Sequence, residues 1–342
     1  MKFHPRYRIP AIGITALVAT EIFLRAAFGL GNPVLFQTDP ETGYRFKPNQ
    51  KSIRFSKRIE YNQYSQRSEP ITAKKPEGTL RVLMIGDSVL NGGNPVDQSE
   101  TITHLLEDKI VAIGQRAEVL NASASGWGIG NQLGYLQKFG TLDSDRVILL
   151  ISSHNLTQPT STGDRVGNNP FFPDQAPLFA TQEAIRRYLL PMFQTAINFE
   201  QSSNSPEPVV STGKISTSSE AEQHFQHNME LLKKSISLVK AQKVPLEVLF
   251  VPNRQNLTPA FTTPAYKLKF LQFLNAQEIP VLDVHKAWSA VPVMAGSTYF
   301  RDGKHLTEKG NEAVANFIFQ QLCFTRQVKQ CASPHTSATM LP

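Results

Sequence analysis

RVLMIGDSVL, residues 81–90, sets an apolar run, Val82–Ile85, directly against Gly86-Asp87-Ser88. The run is too short for a buried helix and has no polar alternation, so it predicts a strand covered on both faces. The glycine breaks it and delivers a serine to its carboxyl end, where ligands bind in open α/β sheets. A serine there acts as a nucleophile only if a base and donors for an oxyanion arrive from elsewhere in the chain.

Outward from this stretch a β/α alternation is legible. Further strands are expected at Ala117–Asn121, Arg146–Ser152, Leu246–Val251 and Pro280–Val284. Helices are expected at Ser99–Ile113, with Ile102, Leu105, Leu106 and Ile110 on one face, at Ser219–Ala241, at Pro264–Ala276 and at Glu308–Leu322. The last has Thr307 as its N-cap and Val314, Phe317 and Ile318 inward. Repeated strand–helix units imply a parallel sheet in a three-layer α/β/α arrangement. The domain is placed at 79–325, interrupted by polar excursions at 157–180 and 201–218 and followed by a tail, 326–342. The first excursion begins at a strand end, which makes it a candidate lid or substrate wall.

The N-terminal 30 residues open with Lys2, Arg6 and Arg8 before an apolar stretch, Pro10–Thr20, that continues to Leu30 apart from Glu21 and Arg25. This reads as a signal-anchor or transmembrane segment and places the main domain outside the cytosol, periplasmic or at the cell surface. Residues 31–78 form a basic lead-in that packs on the main domain, with Ile53/Phe55 and Ile59/Tyr61 alternating about Ser56-Lys57 as in a β-hairpin. The first 75 residues hold 13 Lys/Arg against 5 Asp/Glu, while the remainder is near neutral, so the net charge of +7 belongs to the N-terminal portion. That distribution argues against a nucleic-acid-binding face and for an anionic membrane surface or polymer as partner. The two cysteines, Cys323 and Cys331, fit no zinc pattern; they are open to a small disulfide loop or to two free thiols.

The candidate base lies in Phe300-Arg301-Asp302-Gly303-Lys304-His305-Leu306. A turn eased by Gly303 lets the Asp302 carboxylate take one imidazole nitrogen of His305 and leaves the other for a serine proton. Gly126, in Ser125-Gly126-Trp127-Gly128 after the second strand, can bring a backbone N–H close to a substrate, and Asn155, in Ser153-His154-Asn155-Leu156 after the third, can add an amide. Asp87, Trp127 and His154 are the candidates to line the pocket. Competing motifs fail. Leu90 stands where the α/β-hydrolase elbow needs its second glycine, the glycines after Trp127 are misplaced for a dinucleotide turn, and His224 and His227 have no third metal ligand.

Taken together, Gly86-Asp87-Ser88, Ser125-Gly126, Asn155 and Asp302-Gly303-Lys304-His305 resemble, in order and spacing, the four sequence blocks of the SGNH/GDSL hydrolase family over about residues 80–325. The resemblance implies a flavodoxin-like, doubly wound sheet. It also implies Ser88 as nucleophile, His305 as base, Asp302 as its orienting acid, and Ser88, Gly126 and Asn155 as the oxyanion donors, with no cofactor or metal. The third block departs from the usual Gly-x-Asn-Asp, with Ser153 and Leu156 at its first and last positions. The expected activity is hydrolysis of acyl esters of small alcohols, envelope glycans or lipids. An O-acyltransferase acting on a polysaccharide, or a non-catalytic glycan-binding protein of the same fold, are the alternatives.

Overall fold

The structure, a computed structural model, describes residues 5–192, 218–324 and Cys331. Most of the second excursion and of the tail therefore lie outside the described residues. Five parallel strands form the central sheet: β5 (Leu80–Gly86), β6 (Ala117–Ser123), β7 (Arg146–Ser152), β8 (Leu246–Val251) and β9 (Val281–Asp283), in the order β6-β5-β7-β8-β9. Numbered within the sheet this is 2-1-3-4-5, the flavodoxin-like order, and the chain reverses direction between β5 and β7. Alternation along the strands feeds two cores. Leu83, Ile85, Leu149 and Ile151 pack on one face, and Val82, Met84, Ile148 and Leu150 on the other.

In chain order the helices are α1 (Pro5–Phe28), α2 (Ser88–Asn91), α3 (Ile102–Ala112), α4 (Ile129–Phe139), α5 (Ala180–Ala184), α6 (Ser218–Ala241), α7 (Lys267–Ala276), α8 (Val284–Ala287), α9 (Val293–Ser297) and α10 (Glu308–Phe324). α4, α6 and α7 cover the first face, while α2, α3, α8 and α10 cover the second. The Thr307 hydroxyl accepts from the Gly310 N–H at 3.2 Å and caps α10. A disulfide joins Cys323 to Cys331.

The lead-in folds as two hairpins, β1 (Phe36–Asp39) with β2 (Gly43–Phe46) and β3 (Gln50–Arg54) with β4 (Lys57–Tyr61). Phe55 and Ser56 turn the second with φ of 50° and 63°, as a two-residue hairpin turn of right-handed twist requires. Its buried face differs from the alternation expected. Ser52 and Arg54 point inward and Ile53 outward, because Arg54 is an ion-pair partner of buried Glu183. Part of the lead-in's basic character is internal. Arg54 and Arg67 are buried, and Arg45 is bonded to Asp39 at 2.9 Å, so these charges do not face an anionic partner.

The expected spanning segment is not shown. Residues 5–28 form one helix, but among the described residues no helix is long and apolar enough to cross a membrane. Glu21 and Arg25 interrupt the apolar run for a tertiary purpose. Glu21 accepts from the N–H groups of Ala180 and Thr181 at 2.7 and 3.1 Å, and Arg25 donates to the Leu178 carbonyl at 2.9 Å. Gly29 ends the helix at φ 65°, so close to β3 that a Cβ there would lie 1.8 Å from the Ile53 carbonyl oxygen.

Candidate active site

Ser88 sits at the carboxyl end of β5, at the point where the sheet order reverses. The chain turns from β5 into α2 sharply enough that a Cβ on Gly86 would lie 2.9 Å from Leu90 Cβ. Asp87 caps the turn, its Oδ1 accepting from the Val89 N–H at 2.8 Å. The loop after α2 is held by Arg67, whose buried guanidinium donates to the carbonyls of Asn91, Gly93 and Val96 at 2.6, 2.8 and 2.5 Å. Ser88 is thereby presented on a rigid element.

The C-terminal turn arrives from the other side. Phe300 and Leu306 bridge antiparallel, closing residues 301–305 into a tight loop. Asp302 Oδ1 accepts from the N–H groups of Lys304 and His305 at 2.9 and 2.8 Å, and Oδ2 lies 2.7 Å from His305 Nδ1. His305 Nε2 lies 2.9 Å from Ser88 Oγ, 217 residues away in sequence. Burial pushes the Asp302 carboxyl up, but those two N–H groups and the imidazole outweigh it and bring it down to about 2. Burial holds His305 below its ordinary value, and Asp302 pulls it part of the way back. The pair is thus an ionised acid beside a neutral imidazole over the neutral pH range, the state in which Nε2 accepts a hydroxyl proton.

Gly126 takes φ 80°, and a Cβ there would lie 2.9 Å from Tyr44 Oη and 3.3 Å from Arg165 Nη1. Its carbonyl accepts from Gln158 Nε2 at 2.8 Å and Ser161 Oγ at 2.6 Å, which holds the peptide after it, while Tyr44 Oη on the Ser125 carbonyl at 2.5 Å holds the peptide that carries its N–H. Among the described residues neither the Ser88 nor the Gly126 N–H has a protein acceptor. Asn155 is fully buried. Its Oδ1 accepts from the Ser152 N–H at 2.8 Å, while Nδ2 donates to Asp87 Oδ2 at 3.1 Å and faces the Trp127 carbonyl at 3.5 Å.

Of the three pocket candidates, Trp127 and Asp87 are buried, and His154 is packed, the plainer of its two readings. Trp127 is 2% exposed, with its indole N–H on the Tyr44 carbonyl at 2.8 Å, and belongs to the hydrophobic core. Asp87 is 1% exposed and turned away from solvent to cap α2 and to meet His154. His154 bridges two loops. Nε2 lies 2.8 Å from Asp87 Oδ2 and Nδ1 lies 3.0 Å from Asn253 Oδ1. Burial pushes the Asp87 carboxyl up, but the hydrogen bond and charge of His154, the Val89 N–H and the Asn155 amide outweigh it, and the group stays below the usual carboxylate range.

Sequence reasoning missed the supporting residues from the lead-in and the first excursion. Tyr44 Oη donates to the Ser125 carbonyl at 2.5 Å, and Gln158 and Ser161 steady Gly126. Tyr44 stands in an alternation, Tyr44 and Phe46, that signals a strand; nothing local in the sequence points it at Ser125.

Comparison with known proteins comes next. The GDSL-like lipase/acylhydrolase family matches residues 84–313, about two thirds of the chain. No curated protein matches. Among solved structures, TesA is 12% identical with a TM-score of 0.43 over 71% of this chain and 97% of its own. The lipase/acylhydrolase from Enterococcus faecalis is 17% identical with a TM-score of 0.41, over 71% and 95%. A putative acylhydrolase from Bacteroides fragilis NCTC 9343 is 12% identical with a TM-score of 0.38, over 74% and 90%.

Proposed function

The chain belongs to the GDSL-like lipase/acylhydrolase family, hydrolases that act on esters, and from that premise we propose that Ser88, His305 and Asp302 carry the reaction. The observation that supports this most is the unbroken relay from Ser88 Oγ through His305 to Asp302, at 2.9 and 2.7 Å. Ser88 attacks the ester carbonyl as its proton passes to His305 Nε2. Asp302 holds the imidazole in the required tautomer and balances the imidazolium. The oxyanion is received by the N–H groups of Ser88 and Gly126 and by the Asn155 amide. One Asn155 hydrogen serves Asp87; the other, on a long 3.5 Å contact with the Trp127 carbonyl, is the one free to turn. Collapse expels the alcohol with the proton from His305, and water releases the acyl group by the same steps in reverse. No step calls on a cofactor or metal.

The proposal extends to location: the protein works outside the cytosol on acyl esters of envelope lipids or glycans, held to a membrane through its N-terminal helix. The Cys323–Cys331 disulfide supports an oxidising compartment. Ile12, Leu17, Val18, Ile22 and Phe23 of α1 are more than half exposed, an apolar surface suited to a lipid interface. A fluorophosphonate probe tests the catalytic core. Labelling of the purified protein that disappears in Ser88→Ala is the expected result, and absence of labelling on the wild type returns the chain to the non-catalytic alternative. Release of free acid in the presence of a polysaccharide acceptor, with no acyl group gained by the polymer, separates hydrolysis from acyl transfer.

A further inference from the structure

Between the lead-in hairpins, the turn after α2 and the first excursion lies a cavity of about 480 Å³, within the size range of small-molecule sites. Its lining includes Asn91 and Gly93, from the turn after Ser88, and Ser125, which precedes Gly126. Its walls are largely aromatic: Phe46, Phe55 and Tyr61 from the hairpins, Phe171 and Phe172 from the first excursion, and Tyr188 from the turn after α5.

These walls offer little to a sugar. The Tyr61 hydroxyl is taken by Asn91 Oδ1 at 3.2 Å, and the Arg187 guanidinium is bonded to Glu183 at 2.9 Å and lies over the Phe171 ring. The rings are fixed by one another. Phe46 stacks on Tyr61 at 4.0 Å, and Phe36 meets both Phe46 and Phe172 at 4.3 and 5.0 Å. The side at Phe55 touches Phe28, the last residue of α1, at 5.9 Å between ring centroids, so it adjoins the exposed apolar surface of that helix.

We propose that this cavity holds the aliphatic chain of the substrate's acyl group, which makes the protein selective for long-chain esters over acetyl esters and makes the lead-in part of the substrate site. The inference rests on Ser88 being the nucleophile. It goes beyond family membership, because Phe46, Phe55 and Tyr61 lie outside the family-matched residues 84–313. A preformed, largely aromatic cavity rewards each methylene it covers, and since Ser88 itself does not line it, an acetyl group on Ser88 gains nothing from it.

The test is a series of p-nitrophenyl esters, acetate, butyrate, octanoate and laurate, on the full chain, each compared with Ser88→Ala. Each seated methylene should raise kcat/KM about fourfold, on the order of 10³-fold from acetate to octanoate, before the gain levels off as the cavity fills. Val34→Trp, which places a ring in the cavity, should leave acetate hydrolysis unchanged and bring octanoate down towards it. Should that variant fail to fold, Phe171→Ala, at a half-exposed wall position, should lower the octanoate-to-acetate ratio at least tenfold with acetate again unchanged. Ser88-dependent acetate hydrolysis with a flat or falling chain-length profile overturns the acyl channel and leaves the catalytic reading standing. No hydrolysis of any ester and no fluorophosphonate labelling overturns the catalytic reading itself, and this one with it.

Discussion

His154→Ala should destabilise the protein in a manner that depends on pH, and the size of the effect follows from the surroundings of Asp87. That carboxylate is 1% exposed and has three partners: the His154 ring at 2.8 Å, the Val89 N–H at 2.8 Å and the Asn155 amide at 3.1 Å. In the wild type the partners outweigh burial and the carboxyl is held below its ordinary value. Its contribution to stability is therefore present above the unfolded value, about 3.9, and is lost as pH falls through the folded one. Without His154 the largest opposing partner to burial is gone, and the carboxyl should rise above its unfolded value. The sign then reverses, and stability is lost as pH rises. Stranding a buried charge costs about 3–5 kcal/mol. The Val89 and Asn155 donors remain, so the lower end, about 3 kcal/mol, is expected at pH 8. Near pH 4.5 the variant's Asp87 takes up a proton and the cost should shrink to about 1 kcal/mol, the worth of one hydrogen bond. Urea unfolding at the two pH values measures both. In the double variant Asp87→Asn, His154→Ala the loss relative to wild type should be the same at both pH values. A loss equal at both pH values in His154→Ala, or one that still differs between them in the double variant, refutes the assignment of His154 as the partner that keeps Asp87 ionised.

Asp302→Asn should lower kcat by about 10²–10³, less than for a fully buried triad acid because the Asp302 side chain is 49% exposed. The acid limb of kcat/KM, set by a His305 that burial already holds below its ordinary value, should move to still lower pH, since Asp302 is what raises it; a shift to higher pH contradicts the pairing. Gly126→Ala forces an L side chain to φ 80° with its Cβ 2.9 Å from Tyr44 Oη, and should cost about 1–2 kcal/mol in thermal or urea unfolding together with a tenfold or larger fall in kcat. Unchanged kcat would remove Gly126 from the oxyanion site. Glu107, which burial pushes up to about 7, accepts from the Val119 N–H at 2.7 Å. Its folded value lies above the unfolded one, so the native state holds the extra proton and stability falls as pH rises from about 4.5 to 7. Glu107→Gln keeps the acceptor and should gain on the order of 2–3 kcal/mol at pH 8 but little at pH 4.5, read by the same unfolding curves.

The central sheet was legible because its strands are covered on both faces and read as short runs of Val, Ile and Leu. β7 and β8 stand at the expected residues, Arg146–Ser152 and Leu246–Val251. α4 was not legible. Gly130 and Gly134 depress its helical pattern, and both are there for close approach: a Cβ on Gly134 would lie 2.0 Å from the Glu41 carbonyl oxygen, and one on Gly130 2.0 Å from Thr160 Oγ1. The helix thus gives up local propensity where the lead-in and the first excursion press on it. The β1–β2 hairpin went unread for a related reason. Each strand is four residues, and its apolar side is completed from outside the hairpin, by Tyr61 and by Phe172, far along the chain.

The catalytic fragments were legible to the extent that each is a local object. Gly86-Asp87-Ser88 breaks a strand, and Asp302 and His305 meet across one turn whatever the rest of the chain does. The surroundings of those fragments are settled by partners distant in sequence, which no pattern encodes. Glu183 shows how this works. Its buried carboxylate takes the Gly31 N–H at 2.7 Å, the Arg187 guanidinium at 2.9 Å and both terminal nitrogens of Arg54, 129 residues away, while Arg54 also donates to the Gly29 carbonyl. An ion pair so deeply buried adds little net stability over apolar residues of the same shape. It does fix direction: four segments, the end of α1, β3, α5 and the turn after α5, can meet around this carboxylate in one arrangement only. Phe55 follows Arg54, and Arg187 and Tyr188 follow Glu183 by one turn of helix, so the same bonds set the spacing of the cavity's aromatic walls. Apolar contacts alone would tolerate slippage there; the buried charges do not.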